Sequence, residues 1–140
     1  HIGIYWPLKD EVDLRALKGH PELTIALPAS NSDGSLQYHP WETNDLIKDF
    51  CNIPAPLTTP PLQPQSMSLL LVPAIAMDQD GMRLGYGAGF FDRLRSQKAW
   101  REIPALGVLP EDCISSKPLP RDWWDIAFDG WISENGVRKT

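Results

Sequence analysis

Apolar residues along the chain fall into short runs that are separated by turn-forming residues, a pattern typical of a sheet protein with short connections. The runs at 2–6, 23–28, 68–78, 105–109 and 125–133 are rich in aliphatic, β-branched and aromatic residues, and we predict a strand in each. SLLLVPAIAMD at 68–78 is almost continuously apolar. Such a run is typical of a central strand that is buried on both faces.

Other segments alternate polar and apolar residues with helical spacing. They predict helices over 9–20, over TNDLIKDF at 43–50 and over FFDRLRSQKAW at 90–100. SNSDGS at 30–35 predicts a tight turn, and the proline-rich span 54–64 predicts an irregular connector. Strands that alternate with helices indicate an α/β fold with a mainly parallel sheet.

The length of 140 residues and the ordinary balance of 42% hydrophobic and 22% charged residues predict one globular domain. The two cysteines, Cys51 and Cys113, lie far apart and do not form the framework of a disulfide-rich secreted protein. No apolar run approaches the ~20 residues of a membrane helix, and HIGIYWPL lacks the basic region and cleavage site of a signal peptide. We therefore expect a cytoplasmic protein that does not enter a membrane.

Charge is distributed unevenly. The net charge of −5 argues against general binding of nucleic acid, which favours a basic face. The window 83–101 nevertheless has five cations against one anion, a net charge of +4, so the rest of the chain has −9. This window predicts a local anion site, although the solvated face of a helix would also account for several of the cations.

The basic window begins with RLGYGAGFFDR at 83–93, in which three glycines occupy alternate positions. The spacing G-x-G-x-G fits neither the dinucleotide pattern G-x-G-x-x-G nor the P-loop. A strand, a glycine loop and a helix in this order can place a phosphate against the first backbone amides of the helix. The alternative is a glycine-rich turn with no ligand.

The longer string VPAIAMDQDGMRLGYGAGFFDR, residues 72–93, resembles the signature of the 5-formyltetrahydrofolate cyclo-ligase family, VPG-x-x-F-D-x-x-G-x-RLGYGGGYYDR. The likeness extends to IYWPLKDEVDL, to TIALP and to LPRDWWDIAFDGWIS, and so covers nearly all of the chain. The resemblance implies a single domain, 1–140, with a three-layer Rossmann-like (NagB/RpiA/CoA-transferase-like) α/β fold around a mainly parallel sheet.

Some features depart from the family pattern. Ala88 replaces a residue that is usually Gly or Lys, Met77 replaces an aromatic residue, and Phe90 and Phe91 replace tyrosines. Phenylalanine keeps the stacking face of tyrosine but lacks its hydroxyl. Family members also begin with a helical segment whose Lys/Arg motif contacts ATP, and we expect this domain to lack that segment before His1.

The resemblance implies an ATP-dependent reaction that closes 5-formyltetrahydrofolate into 5,10-methenyltetrahydrofolate and releases ADP and phosphate. The formyl oxygen takes the γ-phosphate, and N10 then displaces it. The protein has to align two anionic ligands and neutralise phosphoryl charge. The expected cofactors are therefore ATP and Mg²⁺, the expected partners are 5-formyltetrahydrofolate and ATP, and a monomer or weak dimer is expected.

The same resemblance assigns the roles of the loop residues. The expected catalytic residues are Arg83, Tyr86 and Asp92. The expected contacts to the nucleotide are Arg83, Leu84, Gly85, Tyr86, Gly87, Ala88, Gly89, Phe90, Phe91 and Arg93. Mg²⁺, which binds one or two carboxylates together with phosphate and water, is assigned to Asp92 and Asp125. Asp129 is the alternative to Asp125, and any of these acids could instead be a helix cap or a solvated charge.

Contacts to the folate are expected from Tyr5, Trp6, Glu11, Tyr86 and Phe90. Glu11 matches the family's carboxylate that contacts the folate, and the aromatic residues would form the walls of the pocket. Tyr5, Trp6 and Phe90 could equally be core residues. The three histidines have no ligand spacing and receive no role.

Three functions are compatible with the sequence. The first is an ATP- and Mg²⁺-dependent folate cyclo-ligase. The second is a relative that keeps a folate or nucleotide pocket and binds without turnover. The third is a nucleotide-binding α/β domain of unrelated chemistry, with the likeness confined to the glycine loop.

Overall fold

The computed structural model describes all 140 residues, His1–Thr140. The strands, in chain order, are β1 (Ile2–Gly3), β2 (Ile25–Ser30), β3 (Leu36–Pro40), β4 (Ile47–Lys48), β5 (Pro54–Ala55), β6 (Leu69–Pro73), β7 (Ala76–Asp78), β8 (Arg83–Leu84), β9 (Ala105–Val108), β10 (Ile114–Ser115), β11 (Gly130–Ser133) and β12 (Gly136–Lys139). The α-helices are α1 (Phe90–Ser96) and α2 (Lys98–Arg101), and 3₁₀ helices cover Arg15–Gly19, Pro64–Ser66 and Glu111–Cys113. None of the helices has the length and hydropathy needed to cross a bilayer.

A seven-stranded sheet with the order β12-β11-β9-β6-β1-β2-β3 forms the centre of the molecule. The five inner strands are parallel to their neighbours, whereas β3 and β12 pair antiparallel at the two edges. The predicted α/β fold with a mainly parallel sheet is thus confirmed. The more specific Rossmann-like superfamily stays a prediction.

The middle of this sheet is apolar on both faces. Along β6, Leu70 and Val72 lie in the core cluster that contains residues of α1 and α2, while Leu71 lies in the cluster on the opposite face. Because side chains alternate along a strand, both faces can be buried only if consecutive residues are apolar. This requirement explains the continuous apolar run that the sequence shows here.

The order of the strands creates a crevice between β1 and β6. The chain proceeds from β1 to β2 and β3 on one side, and from β6 to β9, β11 and β12 on the other. Where the direction of strand order reverses in a parallel sheet, the loops at the carboxyl ends of the strands diverge and leave a ligand-sized crevice. The topology therefore marks the carboxyl ends of β1 and β6 as the place for a site.

Two predicted elements are wrong. The segment 43–50 is not a helix: it contains β4, which pairs antiparallel with β5. The Asp49 carboxylate accepts hydrogen bonds from the backbone N–H groups of Cys51 and Ile53, and such a local bond stabilises a turn at the expense of a helix.

The run 68–78 is not one strand but two, in different sheets. After β6 the backbone N–H of Ile75 donates to the carbonyl of Leu84 at 2.8 Å, and β7 then joins β8 and β10 in a three-stranded sheet. Both halves are apolar, so the pattern of residues did not reveal the bend. Its position after Pro73 matters because it directs the next loop over the crevice.

The other predicted elements are present but shorter. The predicted strands at 2–6, 23–28, 105–109 and 125–133 correspond to strands at Ile2–Gly3, Ile25–Ser30, Ala105–Val108 and Gly130–Ser133. The helix predicted over 9–20 is a 3₁₀ helix at Arg15–Gly19. The helical stretch 90–100 is interrupted at Gln97, where ψ is 129°. The connector 54–64 is irregular apart from β5 and the start of a 3₁₀ helix.

Candidate active site at the switch point

A cavity of about 610 Å³ opens at the carboxyl ends of β1, β2 and β6. It is lined by residues that follow β1, by residues of β2 and the end of β6, by the glycine loop, and by a loop that follows β4. The volume falls within the range of small-molecule and cofactor sites. Every residue that the sequence analysis assigned to folate lines it, namely Tyr5, Trp6, Glu11, Tyr86 and Phe90.

Aromatic side chains form part of the wall of this cavity, and each is fixed by a contact outside it. Tyr5 is buried, and its hydroxyl donates to the carbonyl of Val12 at 2.7 Å. Burial, and then the charges of Glu11 and Asp13, raise the pKa of Tyr5, so the phenol stays protonated. Trp6 lies edge-on against Trp41 with 6.0 Å between ring centroids. Both residues thus belong to the cavity wall and to the packing around it.

Glu11 sits in a turn whose geometry aims it at the glycine loop. Its Oε1 accepts the backbone N–H of Leu8 at 2.7 Å, and Asp10 beside it adopts a left-handed φ of 69°. Partial burial, followed by the negative charge of Glu11, raises the pKa of Tyr86. Glu11 and Tyr86 therefore face one another across the mouth of the cavity, on elements about 75 residues apart.

Arg83 lies beneath the glycine loop. Its Nε donates to the carbonyl of Pro73 at 2.8 Å, and its guanidinium lies 5.4 Å from the centroid of the Phe91 ring. Burial lowers the pKa of Arg83, while the charges of Asp92 and Glu11 act in the opposite direction. A Cβ on Gly85 would lie 2.7 Å from both terminal guanidinium nitrogens. A side chain at position 85 would therefore displace the Arg83 guanidinium from this position.

Gly87 has a different role from Gly85. Its φ is +89°, a conformation that side chains rarely adopt, and a Cβ built on it would meet nothing within 4 Å. The backbone at Gly87 therefore borders open space in the cavity, and a ligand can approach it closely. Of the loop residues assigned to the nucleotide, all but Arg93 line this cavity.

Arg93 and Asp125 belong to a second cavity of about 300 Å³, on the other side of α1. The Nε of Arg93 donates to the carbonyl of Gly34 at 2.8 Å, and its guanidinium lies 5.0 Å from the centroid of the Phe90 ring. Asp92 lines both cavities. The two cavities thus meet at the first turn of α1.

The residues of the second cavity fit a magnesium ion bound with phosphate. Asp92 and Asp125 both line it, Asp92 forms no ion pair, and Asp125 uses Oδ2 to accept the backbone N–H of Asp122 at 2.7 Å. No cluster of three or more metal-ligating side chains exists in the protein. Two carboxylates without a third ligand match Mg²⁺, which takes its other oxygens from phosphate and water.

Asp129, the alternative to Asp125, lines neither cavity. Its Oδ2 accepts the backbone N–H of Ala105 at 2.8 Å, which joins the start of β11 to β9. The carboxylate therefore has a structural hydrogen bond, although its charge acts on Arg95 in the second cavity. Of the two acids, Asp125 is the one that lines that cavity.

The buried carboxylate of Asp78 connects the two segments that reach the site. Its Oδ1 accepts hydrogen bonds from the backbone N–H groups of Asp80 and Met82. Its Oδ2 accepts hydrogen bonds from the backbone N–H of Leu119 and from the guanidinium of Arg121. Burial opposes ionisation, but these donors outweigh it and lower the pKa of Asp78. The turn before the glycine loop and the segment before Asp125 are thus held by one side chain.

The sequence analysis missed one wall of the large cavity, formed by the loop Asp49–Ile53. Here Asp49 also accepts the backbone N–H of Ser30 at 2.9 Å, and Asn52 has a left-handed φ of 65°. Asp49 and Asn52, close before Pro54, are signals of a turn. These two residues could have been used to predict a turn instead of a helix. They gave no indication that the turn would lie beside this cavity.

Comparison with known proteins gives a consistent family. The model of the 5-formyltetrahydrofolate cyclo-ligase family matches residues 9–133. A 5-formyltetrahydrofolate cyclo-ligase of Escherichia coli K12 is 31% identical over 105 residues, which are 73% of this chain and 56% of that protein. One of Mycoplasma pneumoniae is 25% identical over 138 residues, 95% of this chain and 72% of that protein. The chain thus spans little more than half the length of the Escherichia coli relative.

Two solved structures share the fold. The NMR structure of 5,10-methenyltetrahydrofolate synthetase from Aquifex aeolicus has a TM-score of 0.77 and 28% identity, over 99% of this chain and 70% of that one. A 5,10-methenyltetrahydrofolate synthetase from Mycoplasma pneumoniae has a TM-score of 0.71 over 94% of this chain and 71% of that one. Its 23% identity supports the fold alone.

Proposed function

Because the chain belongs to the 5-formyltetrahydrofolate cyclo-ligase family, we propose that it catalyses the ATP-dependent closure of 5-formyltetrahydrofolate to 5,10-methenyltetrahydrofolate, releasing ADP and phosphate. The observation that carries the proposal is the cavity at the switch point, because aromatic residues, a carboxylate and the glycine loop all line it. The family match covers these residues except Tyr5 and Trp6, which precede it.

The large cavity suits a pterin ring better than a purely polar ligand. Tyr5, Trp6 and Phe90 supply flat apolar surface, and Glu11 supplies acceptor oxygens for the N–H groups on the edge of the ring. Since the pyrimidine ring of the reduced pterin is flat and carries N–H donors on one edge, these two kinds of contact would fix its orientation. The formyl group would then be directed at the glycine loop.

The chemical step needs the formyl oxygen to attack the γ-phosphorus of ATP as ADP leaves. N10 of the folate then attacks the formyl carbon, and the oxygen departs with the phosphoryl group as phosphate. Charge accumulates on the phosphoryl oxygens during the transfer, so preorganised donors lower the barrier. Arg83, whose Nε donates to the carbonyl of Pro73, is a half-buried cation beside the loop, and the open backbone at Gly87 would lie against the phosphates.

Asp92 and Asp125 would hold Mg²⁺ in the second cavity. When bound, the ion neutralises phosphate charge and orients the transferred group. Asp92 lines both cavities, so it would stand where the folate and the nucleotide meet. Tyr86, whose ring is 60% exposed beside Glu11, would close the mouth over the folate rather than transfer a proton.

A spectroscopic assay tests this function. The chain is mixed with 5-formyltetrahydrofolate, ATP and Mg²⁺, and the absorbance band of the methenyl product is followed with time. We expect the band to grow only when all three are present, with one ADP released for each product formed. The matched variant is Arg83→Met, which keeps the apolar stem of the side chain and removes its charge, and we expect it to lose turnover.

Titration of each ligand alone distinguishes the two other functions. Binding of folate and nucleotide without product formation would identify a non-catalytic relative. Binding of nucleotide without any affinity for folate would identify an unrelated nucleotide-binding domain. Either result would overturn the proposal.

A further inference from the structure

Arg95 is a buried arginine that the proposed chemistry does not use. It lies on α1, one helical turn after Asp92, and only 4% of it is exposed. It lines the second cavity together with Asp92 and Asp125. No carboxylate lies within ion-pair distance of it, although the negative charges of Asp129 and Asp92 act on it from farther away. Burial of a charged side chain without such a partner is unfavourable in free energy, so other contacts have to stabilise Arg95 in this position.

The contacts of Arg95 all reach the segment that carries Asp125. One terminal nitrogen, Nη1, donates to the carbonyl of Ile126 at 3.4 Å, and the other, Nη2, donates to the carbonyl of Ala127 at 3.2 Å. The guanidinium also lies 4.2 Å from the centroid of the Phe128 ring. The side chain therefore contacts the three residues that follow Asp125.

Of the residues that Arg95 contacts, Ile126 and Ala127 form no other hydrogen bond, whereas Phe128 is buried and its backbone N–H donates to the carbonyl of Gly81 at 2.8 Å. Residues 116–129 contain no helix or strand, and Trp123 and Trp124 within them are exposed. The segment is fixed on its N-terminal side by the bonds from Leu119 and Arg121 to Asp78. On its C-terminal side the bonds from Arg95 are the first fixed point after Asp125. Asp125 is thus held between two charged anchors.

We propose that Arg95 is a positioning residue that sets the separation of the two carboxylates, Asp92 and Asp125, for Mg²⁺. Arg95 and Asp92 are on the same short helix, so each bond from Arg95 to the Asp125 segment also fixes that segment relative to Asp92. Groups that orient metal ligands without touching the metal commonly change metal affinity about 10- to 100-fold when they are replaced. The inference rests on the proposed role of Asp92 and Asp125 as magnesium ligands.

The test measures metal binding rather than activity. Mn²⁺ is titrated into the full chain in the presence of ADP, and the EPR signal of free Mn²⁺ gives the dissociation constant. Arg95→Met keeps the apolar stem and removes both donors, and we expect the constant to rise at least tenfold. Arg95→Lys, which keeps the charge and can donate to one carbonyl, should give an intermediate value. Arg101→Met, at an exposed position on α2, is the matched control and should equal the parent.

A double-mutant cycle separates positioning from loss of folding. If Arg95 acts through Asp125, then Arg95→Met should weaken Mn²⁺ binding in the parent but add little in Asp125→Asn. Equal weakening of Mn²⁺ binding by Arg95→Met in both backgrounds would overturn the inference. A dissociation constant for Mn²⁺ that is unchanged or lower in a folded Arg95→Met variant would overturn it as well. If the parent itself shows no Mn²⁺ binding with ADP, the assignment of the metal ligands fails, and the inference fails with it.

Discussion

The two cavities that meet at α1 differ in their lining. The larger one is half lined by hydrophobic residues, and its loops are held by hydrogen bonds between side chains and the backbone, as where the Tyr5 hydroxyl donates to the carbonyl of Val12 and the Asp49 carboxylate accepts the N–H of Ser30. The smaller one has four charged residues among its eight lining residues, and charged side chains hold the segment on its far side. Apolar walls select a ligand by shape, whereas charged walls select it by charge and depend on ionisation.

This difference predicts which property of the reaction a substitution in each cavity would change. Changes in the aromatic and acidic wall of the large cavity should alter the affinity for folate, since shape complementarity is spread over many contacts, whereas changes in the glycine loop of the same cavity should alter the affinity for the nucleotide. Changes in the small cavity should alter nucleotide and metal binding, since binding there depends on a few charged side chains. Asp92 belongs to both, so its replacement should affect turnover more than either affinity.

The largest effect is expected for Asp92→Asn. The amide keeps the size of the side chain but removes one of two proposed carboxylate ligands of Mg²⁺ at the transferring phosphate, so kcat should fall by about 100-fold or more. The measurement is product formation at saturating substrates, together with a thermal melt that shows the fold intact. Asp112→Asn, at an exposed residue outside both cavities, is the control. Parent-like turnover at saturating Mg²⁺ would remove Asp92 from the metal site.

Gly87→Val should separate the two ligands. Its φ of +89° disfavours a β-branched residue by about 1–3 kcal/mol, and the new side chain would occupy the open space proposed for phosphate. We expect nucleotide affinity to fall about 50-fold while folate affinity changes only a few-fold, by calorimetric titration. Gly136→Val has the matching backbone, with φ +102° and open space, but lies in the β11–β12 hairpin. Loss of nucleotide affinity in that control too would mean that the effect is global strain.

Asp78→Asn tests the charged anchoring of the small cavity through stability. The folded-state pKa of Asp78 is lowered, so its stabilisation is present above the ordinary value of 3.8 and is lost as the pH falls through the lower folded value. At neutral pH the variant should lose about 2–3 kcal/mol in the free energy of unfolding, and the gap from the parent should narrow below pH 3.8. Urea denaturation across this range measures it.

The control for Asp78→Asn is Glu134→Gln. Glu134 is an exposed carboxylate that also accepts a backbone N–H, from Glu111 at 2.7 Å, and its pKa is likewise lowered by that bond. Because water surrounds it, we expect little change in stability at any pH. A difference between parent and Asp78→Asn that stayed constant across the acid range would show that ionisation of Asp78 is not what holds the two segments.

Tyr86→Phe should have the smallest effect. The ring is 60% exposed, and its hydroxyl faces Glu11 at the mouth of the large cavity, so we expect KM for folate to rise about threefold with kcat nearly unchanged. Steady-state kinetics at saturating ATP give both constants. A fall of kcat by about 100-fold would show that the hydroxyl acts in the chemical step.

The sequence by itself determined the parallel core and the glycine loop. The continuous apolar run in β6 is a direct consequence of burial on both faces, and the string at 83–93 carries its family resemblance in consecutive residues. The glycine loop was recognisable because its residues are consecutive, whereas its position beside Tyr5, Trp6 and Glu11 in one cavity depends on the fold.

Only the tertiary structure decided the rest of the site. The loop 49–53 is a cavity wall because the Asp49 carboxylate accepts the N–H of Ser30 at the end of β2, and the run 68–78 is divided because the N–H of Ile75 donates to the carbonyl of Leu84. In the sequence, Arg95 is one of several cations in a basic helix. In the structure it is buried, and its guanidinium donates to the carbonyls of Ile126 and Ala127. Such contacts join residues far apart in the chain, and no local pattern of hydrophobicity, charge or turn propensity specifies which distant backbone group will satisfy a given side chain.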